Sequence, residues 1–189
     1  MAEKQLILAS TSKYRQELLS RLAYKFTATA PLIDEEKEKD PSLSPQHLAE
    51  KLAMLKAGSL KGAGRVVIGG DQLVAFEGRI LGKSHTPEKA VEQLYSMQGK
   101  THELITAICV FDDDKMIPYT DITRMHMKKL SREQIERYVQ LDMPTDCAGS
   151  YKIEKHGIML FDKIESQDFT AIQGLPLIAL SKILENLGL

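Results

Sequence analysis

The chain has few cysteines and almost no net charge. Its two cysteines, Cys109 and Cys147, lie far apart and match no metal-binding or redox spacing. They are therefore predicted to be free thiols in a reducing compartment. The formal net charge of -1 argues against a general electrostatic attraction to DNA or to an anionic membrane. A basic pocket within a neutral surface is compatible with this composition.

The chain also lacks long apolar runs. The apolar part of MAEKQLILAS is too short for the core of a signal peptide, and no stretch reaches transmembrane length. A cytoplasmic protein is therefore predicted. With 189 residues, 43% of them hydrophobic and 27% charged, the composition is that of an ordinary soluble protein that can bury a core. No internal repeat or linker is evident, so a single domain over residues 1–189 is predicted.

Apolar periodicity predicts that strands and helices alternate along the chain. The predicted strands cover 5–9, 25–30, a hairpin over 65–84, 102–111, 119–128 and 157–164, and the predicted helices cover 12–22, 46–60, 87–97, 131–141 and 176–187. The charged, proline-bearing segment 34–45 is predicted to be a loop, and Glu77-Gly78 to be the hairpin turn. This order predicts an α/β fold with a mixed sheet. The last helix is expected to pack either in the core or across a subunit boundary.

The stretch ILASTSKYRQELL joins the first predicted strand to a helix. Ser10 and Ser12 precede Lys13 and Arg15, which lie on the first helical turn, where the helix dipole disfavours cations. An anion bound at this helix N-terminus would explain the arrangement, with the serines and Arg15 donating to phosphate oxygens. No glycine-rich loop is present, so neither a P-loop nor a dinucleotide fingerprint applies. The alternative is that Ser12 is an N-cap and Arg15 a solvated residue.

A second candidate site is IGGDQ, in which Asp71 follows two glycines at the end of an apolar strand. The glycines would let a ligand approach the backbone, and Asp71 could hold Mg²⁺ or activate a water molecule. A turn aspartate that bonds its own backbone is the alternative. Glu35, Lys56 and Lys83 are weaker candidates, and the five histidines have no metal-ligand spacing. Hydroxyls, cations and carboxylates together are the side-chain types that bind a polyphosphate with a divalent metal.

Several blocks, in order along the chain, resemble the Maf family of nucleoside triphosphate pyrophosphatases. The blocks are LASTSKYRQELL, IDEE, LAMLKA, IGGDQLVAFEGRILGKS, CAGSYKIE and GLPL, and they span essentially the whole chain. The resemblance implies hydrolysis of a non-standard nucleotide to a monophosphate and pyrophosphate, with Mg²⁺, Mn²⁺ or a similar ion. It also implies a fold like that of inosine triphosphatase, with an elongated mixed sheet, flanking helices and two lobes around a cleft, commonly as a homodimer.

Matched by position, the resemblance implies a role for each candidate. Asp71 would be the general base, and Glu35 together with Asp71 would supply the carboxylates at the metal. The phosphate ligands would be Ser10, Arg15, Lys56 and Lys83. The implied partner is the nucleotide, with no nucleic acid and no membrane.

Two departures from the family pattern bear on the substrate. Lys13-Tyr14 stands where the family usually has Pro-Arg, and Ser84 where it usually has a proline. The missing arginine weakens an assignment to the branch that acts on dTTP and UTP. Tyr14, Gln72 and Glu154 instead resemble the branch that acts on 7-methyl-GTP, and the resemblance implies that they select the base.

Alternatives to this reading of the substrate and the activity stay open. A dTTP or UTP pyrophosphatase is one, and a non-catalytic nucleotide-binding regulator of septum formation is another. Tyr14 also continues the apolar stripe of Leu18 and Leu22, so a place in the core is an alternative for it, and Glu154 could be a solvated loop residue. The presence of Asp71 and Glu35 with both candidate lysines favours an active enzyme.

Overall fold

The computed structural model describes residues 4–189. Its strands are β1 (Gln5–Ala9), β2 (Thr27–Thr29), β3 (Arg65–Phe76), β4 (Arg79–Leu81), β5 (Thr101–Asp112), β6 (Lys115–Met127) and β7 (Phe161–Glu165). Its helices are α1 (Lys13–Ser20), α2 (Glu35–Glu38), α3 (Pro45–Gly58), α4 (Pro87–Met97), α5 (Arg132–Asp142) and α6 (Leu177–Asn186), with short 3-10 helices at His156–Leu160 and Ala171–Gln173. None of the helices within 4–189 is long and apolar enough to cross a membrane.

The strands described in residues 4–189 form one mixed sheet of seven. Its order is β2-β1-β3-β5-β6-β7, and β4 pairs with β3 away from this path. β1 runs parallel to both β2 and β3, whereas the β3–β4 and β6–β7 pairs are antiparallel. The predicted α/β fold with a mixed sheet and flanking helices is therefore confirmed. Because Ala9 pairs with Gly69, the carboxyl end of β1 lies beside the middle of β3 and brings the two candidate motifs together.

The chain divides into two compact units. Unit 1 contains the described residues up to Gln72 together with Thr106–Asp121 and Asp168–Leu189, and unit 2 contains Leu73–Ile105 and Ile122–Gln167. The assignment of residues 1–189 to a single domain stays a prediction.

The core of unit 1 lies between the sheet and helices α1 and α6. Its buried side chains are Leu6, Leu8, Leu18, Leu19, Val66, Ile68, Ile108, Val110, Leu175, Leu177, Leu180 and Leu184. The apolar face of α6 is thus buried within the same chain, which is the first of the two packings expected for the last helix. In unit 2, α4 packs against α5, and His102, Tyr151 and Phe161 form an aromatic cluster.

Local signals located several elements correctly. Helix α4 begins at Pro87, as predicted. Its N-cap is Thr86, whose side chain accepts a hydrogen bond from the Lys89 amide. The hairpin turns at Glu77 and Gly78, whose φ angles of 49° and 74° are those of a left-handed two-residue turn.

Two predicted segments differ from the structure. The predicted loop at 34–45 contains α2, because Asp34 caps a turn whose acidic residues suit a helix N-terminus. The predicted strand over 157–164 begins only at Phe161, because the preceding residues form a 3-10 helix. At the start of that helix, the Gly157 amide donates to the Lys152 carbonyl at 3.0 Å.

Candidate active site

The loop between β1 and α1 fixes Ser10 and Ser12 by hydrogen bonds of its own. Ser12 is the N-cap of α1, and its hydroxyl accepts from the Arg15 amide at 3.4 Å. The hydroxyl of Ser10, which is buried, accepts from the Ser12 amide at 3.1 Å. The alternative of an N-cap is therefore correct for Ser12. Ser10 still has a hydroxyl proton to donate, as a phosphate ligand would require.

Lys56 joins two of the predicted carboxylates. Its Nζ lies 2.7 Å from Asp71 Oδ1 and 2.9 Å from Glu35 Oε2. Only 5% of Lys56 is exposed, and lysines are seldom buried to this extent unless they are paired. Glu35 reaches the site from α2, the helix that the sequence did not predict. The structure therefore brings Lys56, Asp71 and Glu35 together.

Gly69 allows α3 to pack closely on β3. A Cβ at this position would lie 2.3 Å from the carbonyl oxygen of Ala53 and 2.5 Å from the amide nitrogen of Ala57. Both contacts are impossible for a real side chain, so only glycine permits the helix to approach here. The prediction that this glycine makes room for a ligand is wrong, since the backbone of α3 occupies the space. The close contact instead holds Lys56 within reach of Asp71.

Asp71 is a buried carboxylate with one oxygen unpaired. It is 6% exposed, and its Oδ2 has no hydrogen-bond partner within residues 4–189. Burial raises the pKa of Asp71, although the positive charges of Lys56 and Arg15 oppose the rise. An aspartate with a raised pKa is a stronger base than usual, and its unpaired oxygen leaves one acceptor for a proton or a cation. The alternative of a turn aspartate is not observed, since Asp71 lies within β3.

Arg15 is held by the loop that precedes α6. Its Nε donates to the carbonyl oxygen of Gly174 at 3.0 Å, and the side chain is partly buried. Burial lowers the pKa of Arg15, and the nearby charges of Asp71 and Glu35 oppose this effect. The alternative of a solvated helix residue is therefore wrong. With Nε occupied, the two terminal nitrogens are the atoms that could bind a phosphate oxygen.

Gln72 is fixed through its amide nitrogen. Nε2 donates to Thr106 Oγ1 at 2.8 Å and to the carbonyl oxygens of Ala171 at 2.8 Å and Ile172 at 3.2 Å. Only the amide oxygen of Gln72 is left for a ligand, and it can only accept hydrogen bonds. The polar contact predicted for Gln72 can therefore be made only to a donor.

The segment 168–178 supports both Arg15 and Gln72, and sequence reasoning missed it. The buried Asp168 accepts from the amides of Thr170 at 2.9 Å and Ile178 at 2.7 Å. The hydroxyl of Thr170 accepts from the Leu177 amide at 2.9 Å. These bonds fix the loop whose carbonyls receive the side chains of Arg15 and Gln72. The Asp-x-Thr pattern ahead of a helix was a usable signal, because such residues favour turns and caps.

The remaining candidates lie elsewhere along the chain. Tyr14 is 47% exposed, so its alternative place on the buried face of α1 is wrong, and only Leu18 and Leu19 of that helix are buried. Lys83 and Glu154 belong to unit 2, where both are exposed and the backbone of Lys83 bridges to Ala148. The roles of Lys83 and Glu154 at the phosphates and the base stay predictions.

Two carboxylates of unit 1 are the candidates to hold a divalent cation. Among the described residues there is no group of three or more His, Cys, Asp or Glu side chains that could enclose a metal. Mg²⁺ nevertheless commonly binds through one or two carboxylates and completes its shell with waters and substrate phosphates. Asp71, with its unpaired buried oxygen, and Glu35, which is half-exposed, are the two carboxylates of that kind.

Comparison with known proteins identifies the family. The Maf family (Maf-like protein) matches residues 5–187. The chain is 82% identical to a 7-methyl-GTP pyrophosphatase of Bdellovibrio bacteriovorus over 189 residues, which is the whole of both chains. It is 42% identical to a 7-methyl-GTP pyrophosphatase of Xanthomonas oryzae pv. oryzae over 185 residues, or 97% of this chain and 96% of that one.

A solved structure shares the fold. A HAM1 protein from Coxiella burnetii superimposes with a TM-score of 0.52 over 97% of this chain and 99% of its own, at 13% sequence identity. At that identity the likeness concerns the fold alone. The extent of the family match and the identity to full-length relatives together show that this chain belongs to the Maf family.

Proposed function

We propose that this protein is a nucleotide pyrophosphatase that hydrolyses the α–β phosphoanhydride of 7-methyl-GTP, giving 7-methyl-GMP and pyrophosphate. Full-length relatives at 82% and 42% identity carry the name 7-methyl-GTP pyrophosphatase. The structural observation that supports the reaction best is the buried Lys56 ammonium, which holds Asp71 and Glu35 at 2.7 and 2.9 Å.

Asp71 is the proposed general base. One of its oxygens is fixed by Lys56, so the carboxylate cannot rotate freely, and the other has no partner within residues 4–189. The unpaired oxygen takes a proton from a water molecule while the water oxygen bonds to the α-phosphorus. The bond from the α-phosphorus to the oxygen that bridges it to the β-phosphorus then breaks, and pyrophosphate leaves. Burial raises the pKa of Asp71 and so makes it a better proton acceptor than an exposed aspartate.

The proposed phosphate ligands are Ser10, Arg15, Lys56 and Lys83. Lys56 donates one hydrogen bond to Asp71 and forms an ion pair with Glu35, and its remaining N–H donors are proposed to bind a phosphate oxygen. Arg15 offers its terminal nitrogens, because Nε is bound to Gly174. A divalent cation held by Asp71 and Glu35 would neutralise phosphate charge when bound.

The base is proposed to be read by an aromatic ring and two acceptors. Methylation at N7 gives guanine a delocalised positive charge, which is attracted to the face of an exposed aromatic ring such as Tyr14. Guanine also has two donors on its Watson–Crick edge, which the carboxylate of Glu154 could accept together. The free amide oxygen of Gln72 is a further acceptor.

The proposed setting is the cytoplasm. Cys109 is buried and Cys147 partly buried, and both are free thiols, as a reducing compartment would maintain. A homodimer, expected from the family resemblance, is also part of the proposal.

Product analysis tests the reaction. We would incubate 7-methyl-GTP with the protein and Mg²⁺, and separate the products by anion-exchange chromatography. The expected products are equal amounts of 7-methyl-GMP and pyrophosphate, and excess EDTA is expected to stop their release. Formation of 7-methyl-GDP and phosphate would contradict the proposal, as would the absence of turnover. An Asp71→Asn preparation, purified in parallel, controls for contaminating phosphatases.

A further inference from the structure

Glu154 lies in a tight turn formed by residues 152–157, which we call the Glu154 turn. The carbonyl oxygen of Lys152 accepts hydrogen bonds from the amides of Lys155 at 3.1 Å and Gly157 at 3.0 Å, so the chain folds back on itself. A Cβ at Gly157 would lie 2.4 Å from that same carbonyl oxygen, and the turn therefore closes only on a glycine. Glu154 is exposed near its tip.

Helix α5 holds both ends of the Glu154 turn. At one end the Lys152 amide donates to the hydroxyl oxygen of Tyr138 at 2.9 Å. At the other end the His156 amide donates to Asp142 Oδ2 at 3.1 Å, and His156 Nδ1 lies 2.6 Å from Asp142 Oδ1. Tyr138 and Asp142 are four residues apart, so they lie one above the other on the same face of the helix.

Both anchoring side chains belong to the interior of unit 2. Tyr138 is 3% exposed and Asp142 is 5% exposed, and they lie with Val139 in the buried face of α5. A third attachment precedes the turn, where the Ser150 hydroxyl donates to Gln93 Oε1 on α4 at 2.6 Å. The backbone around Glu154 is therefore fixed by the packed part of the unit, although Glu154 itself is at the surface.

The carboxylate of Glu154 does not stabilise this turn. It makes no hydrogen bond or ion pair with residues 4–189, whereas Asp142 and Asp146, the carboxylates that precede it in the chain, both do. A carboxylate that accepts two hydrogen bonds from one edge of a base binds better when its backbone is fixed, because its position is then set before the ligand binds.

We propose that Tyr138 and Asp142 are positioning residues for base selection, which hold the Glu154 turn so that the Glu154 carboxylate meets the Watson–Crick edge of the 7-methylguanine base. The inference rests on the proposed function, because it takes 7-methyl-GTP as the substrate. Neither residue touches the nucleotide. Their effect is on discrimination between bases and not on cleavage of the anhydride.

Kinetics of Tyr138→Phe test the proposal. Phenylalanine keeps the buried ring and removes the oxygen that accepts from the Lys152 amide. We expect kcat/KM for 7-methyl-GTP to fall about tenfold, the size of one lost hydrogen bond, mainly through KM, with dTTP hydrolysis unchanged. Tyr95→Phe is the matched control, since Tyr95 is an exposed tyrosine of unit 2 and its hydroxyl makes no hydrogen bond within the described residues. It is expected to behave as wild type toward both substrates.

A second variant and a double mutant complete the test. Asp142→Asn weakens the attachment at the other end of the turn, and we expect it also to lower kcat/KM for 7-methyl-GTP. It replaces Tyr138→Phe in the test if that variant does not fold. In a Glu154→Gln background, Tyr138→Phe is expected to cause no further loss of discrimination, because the carboxylate that it positions is already gone.

Two results would overturn the inference while the proposed function stood. One is an equal loss for 7-methyl-GTP and dTTP in Tyr138→Phe, which would indicate general destabilisation. The other is an additive loss in the double mutant. A wild-type enzyme that prefers dTTP would overturn the proposed function itself and this inference with it, and that result is visible before any variant is made.

Discussion

Burial of the Lys56 ammonium would be strongly unfavourable without its two carboxylate partners, Asp71 and Glu35. The trio is therefore interdependent: the lysine keeps Asp71 oriented, and the carboxylates compensate the positive charge of the lysine. Arg15 adds a second positive charge near Asp71. The cluster therefore holds two positive and two negative side chains close together.

Replacing Asp71 by asparagine is expected to abolish most turnover while the chain still folds. The amide oxygen can still accept from Lys56, but the side chain can no longer take a proton from water. General-base assistance is typically worth about 10²- to 10⁴-fold in rate, and we expect kcat for 7-methyl-GTP to fall by that factor. Steady-state pyrophosphate release measures the loss, and thermal unfolding checks the fold. A variant that keeps more than roughly a tenth of wild-type activity would place the base elsewhere.

The raised pKa of Asp71 predicts the pH profile of the enzyme. The base acts as the carboxylate, so activity is lost as the pH falls through its pKa, and burial places that loss above the ordinary aspartate value of about 3.9. Lys56→Gln removes a positive charge that lowers this pKa. The acid limb of kcat/KM should therefore move to higher pH in the variant, whatever its absolute activity. An unchanged or lower midpoint would mean that Asp71 is not the titrating group.

At the scale of secondary-structure elements, the site depends on how closely α3 lies on β3. Gly69→Ala would place a Cβ 2.3 Å from the Ala53 carbonyl oxygen, so the helix must shift. Overpacking of this kind typically costs about 1–3 kcal/mol, and we expect the free energy of unfolding to fall by about that amount. We also expect activity to be lost, because Lys56 moves with the helix. Urea denaturation measures the change.

Gly70→Ala is the matched control for that substitution. Its Cβ would have its nearest neighbours, which include Arg15 Nε and the Ala107 carbonyl oxygen, at 3.6 Å, an ordinary van der Waals contact. We expect its stability to be close to that of wild type. Equal destabilisation by both alanines would show that the glycines matter for backbone conformation and not for the contact with α3.

The loop before α6 offers a second prediction at this scale. Thr170→Val keeps the shape of the side chain but removes the hydroxyl that accepts from the Leu177 amide and donates to Asp168. Leaving such buried groups unpaired typically costs about 1–3 kcal/mol, and we expect the free energy of unfolding to fall accordingly. Thr29→Val, at an exposed position in β2, should have little effect. If the two variants unfold at the same urea concentration, the Asp168–Thr170 network does not stabilise the loop.

The elements that sequence predicts well are those whose signals are local. The start of α4 at Pro87 and the turn at Glu77-Gly78 are each specified by a few adjacent residues, and both are found in the structure. The helix predicted from residue 131 also begins there, where Ser131 is the N-cap of α5. The prediction of a loop over 34–45 is wrong in its first half, which contains α2. The many charges and the prolines of this segment suggested a loop, and they concealed the shorter helix signal of an aspartate cap before three acidic residues.

Site residues can be predicted from the sequence where their residue type and the family resemblance point to the same role. They cannot be predicted where the role depends on contacts with residues far away in the chain. Asp71, Lys56 and Glu35 are all candidates from the sequence, and the structure brings them together. The contact that makes Gly69 necessary comes from another element, and Gln72 is fixed by Ala171, 99 residues away. Such pairings have no local pattern. The same reason conceals the anchoring residues of the Glu154 turn on α5.

At the scale of the whole molecule, the chain is nearly neutral, with a formal net charge of -1, so its charged groups must act locally. Cations gather in unit 1 at Arg15 and Lys56, next to the carboxylates that share the site. The identity of 82% to a relative of the same length extends over the entire chain, so the alignment covers both the cluster of Lys56, Asp71 and Glu35 and the Glu154 turn. The choice of base is the property on which the whole proposal depends.

Internal competition measures that choice most directly. We would incubate the wild-type protein and Mg²⁺ with 7-methyl-GTP, GTP, dTTP and UTP in equal amounts in one tube, and follow each triphosphate by chromatography. Because all substrates compete for the same enzyme, the relative rates of disappearance give the ratios of kcat/KM. We predict that 7-methyl-GTP is consumed first and that Glu154→Gln removes most of its advantage. Faster consumption of dTTP or UTP by the wild-type protein would contradict the proposed substrate.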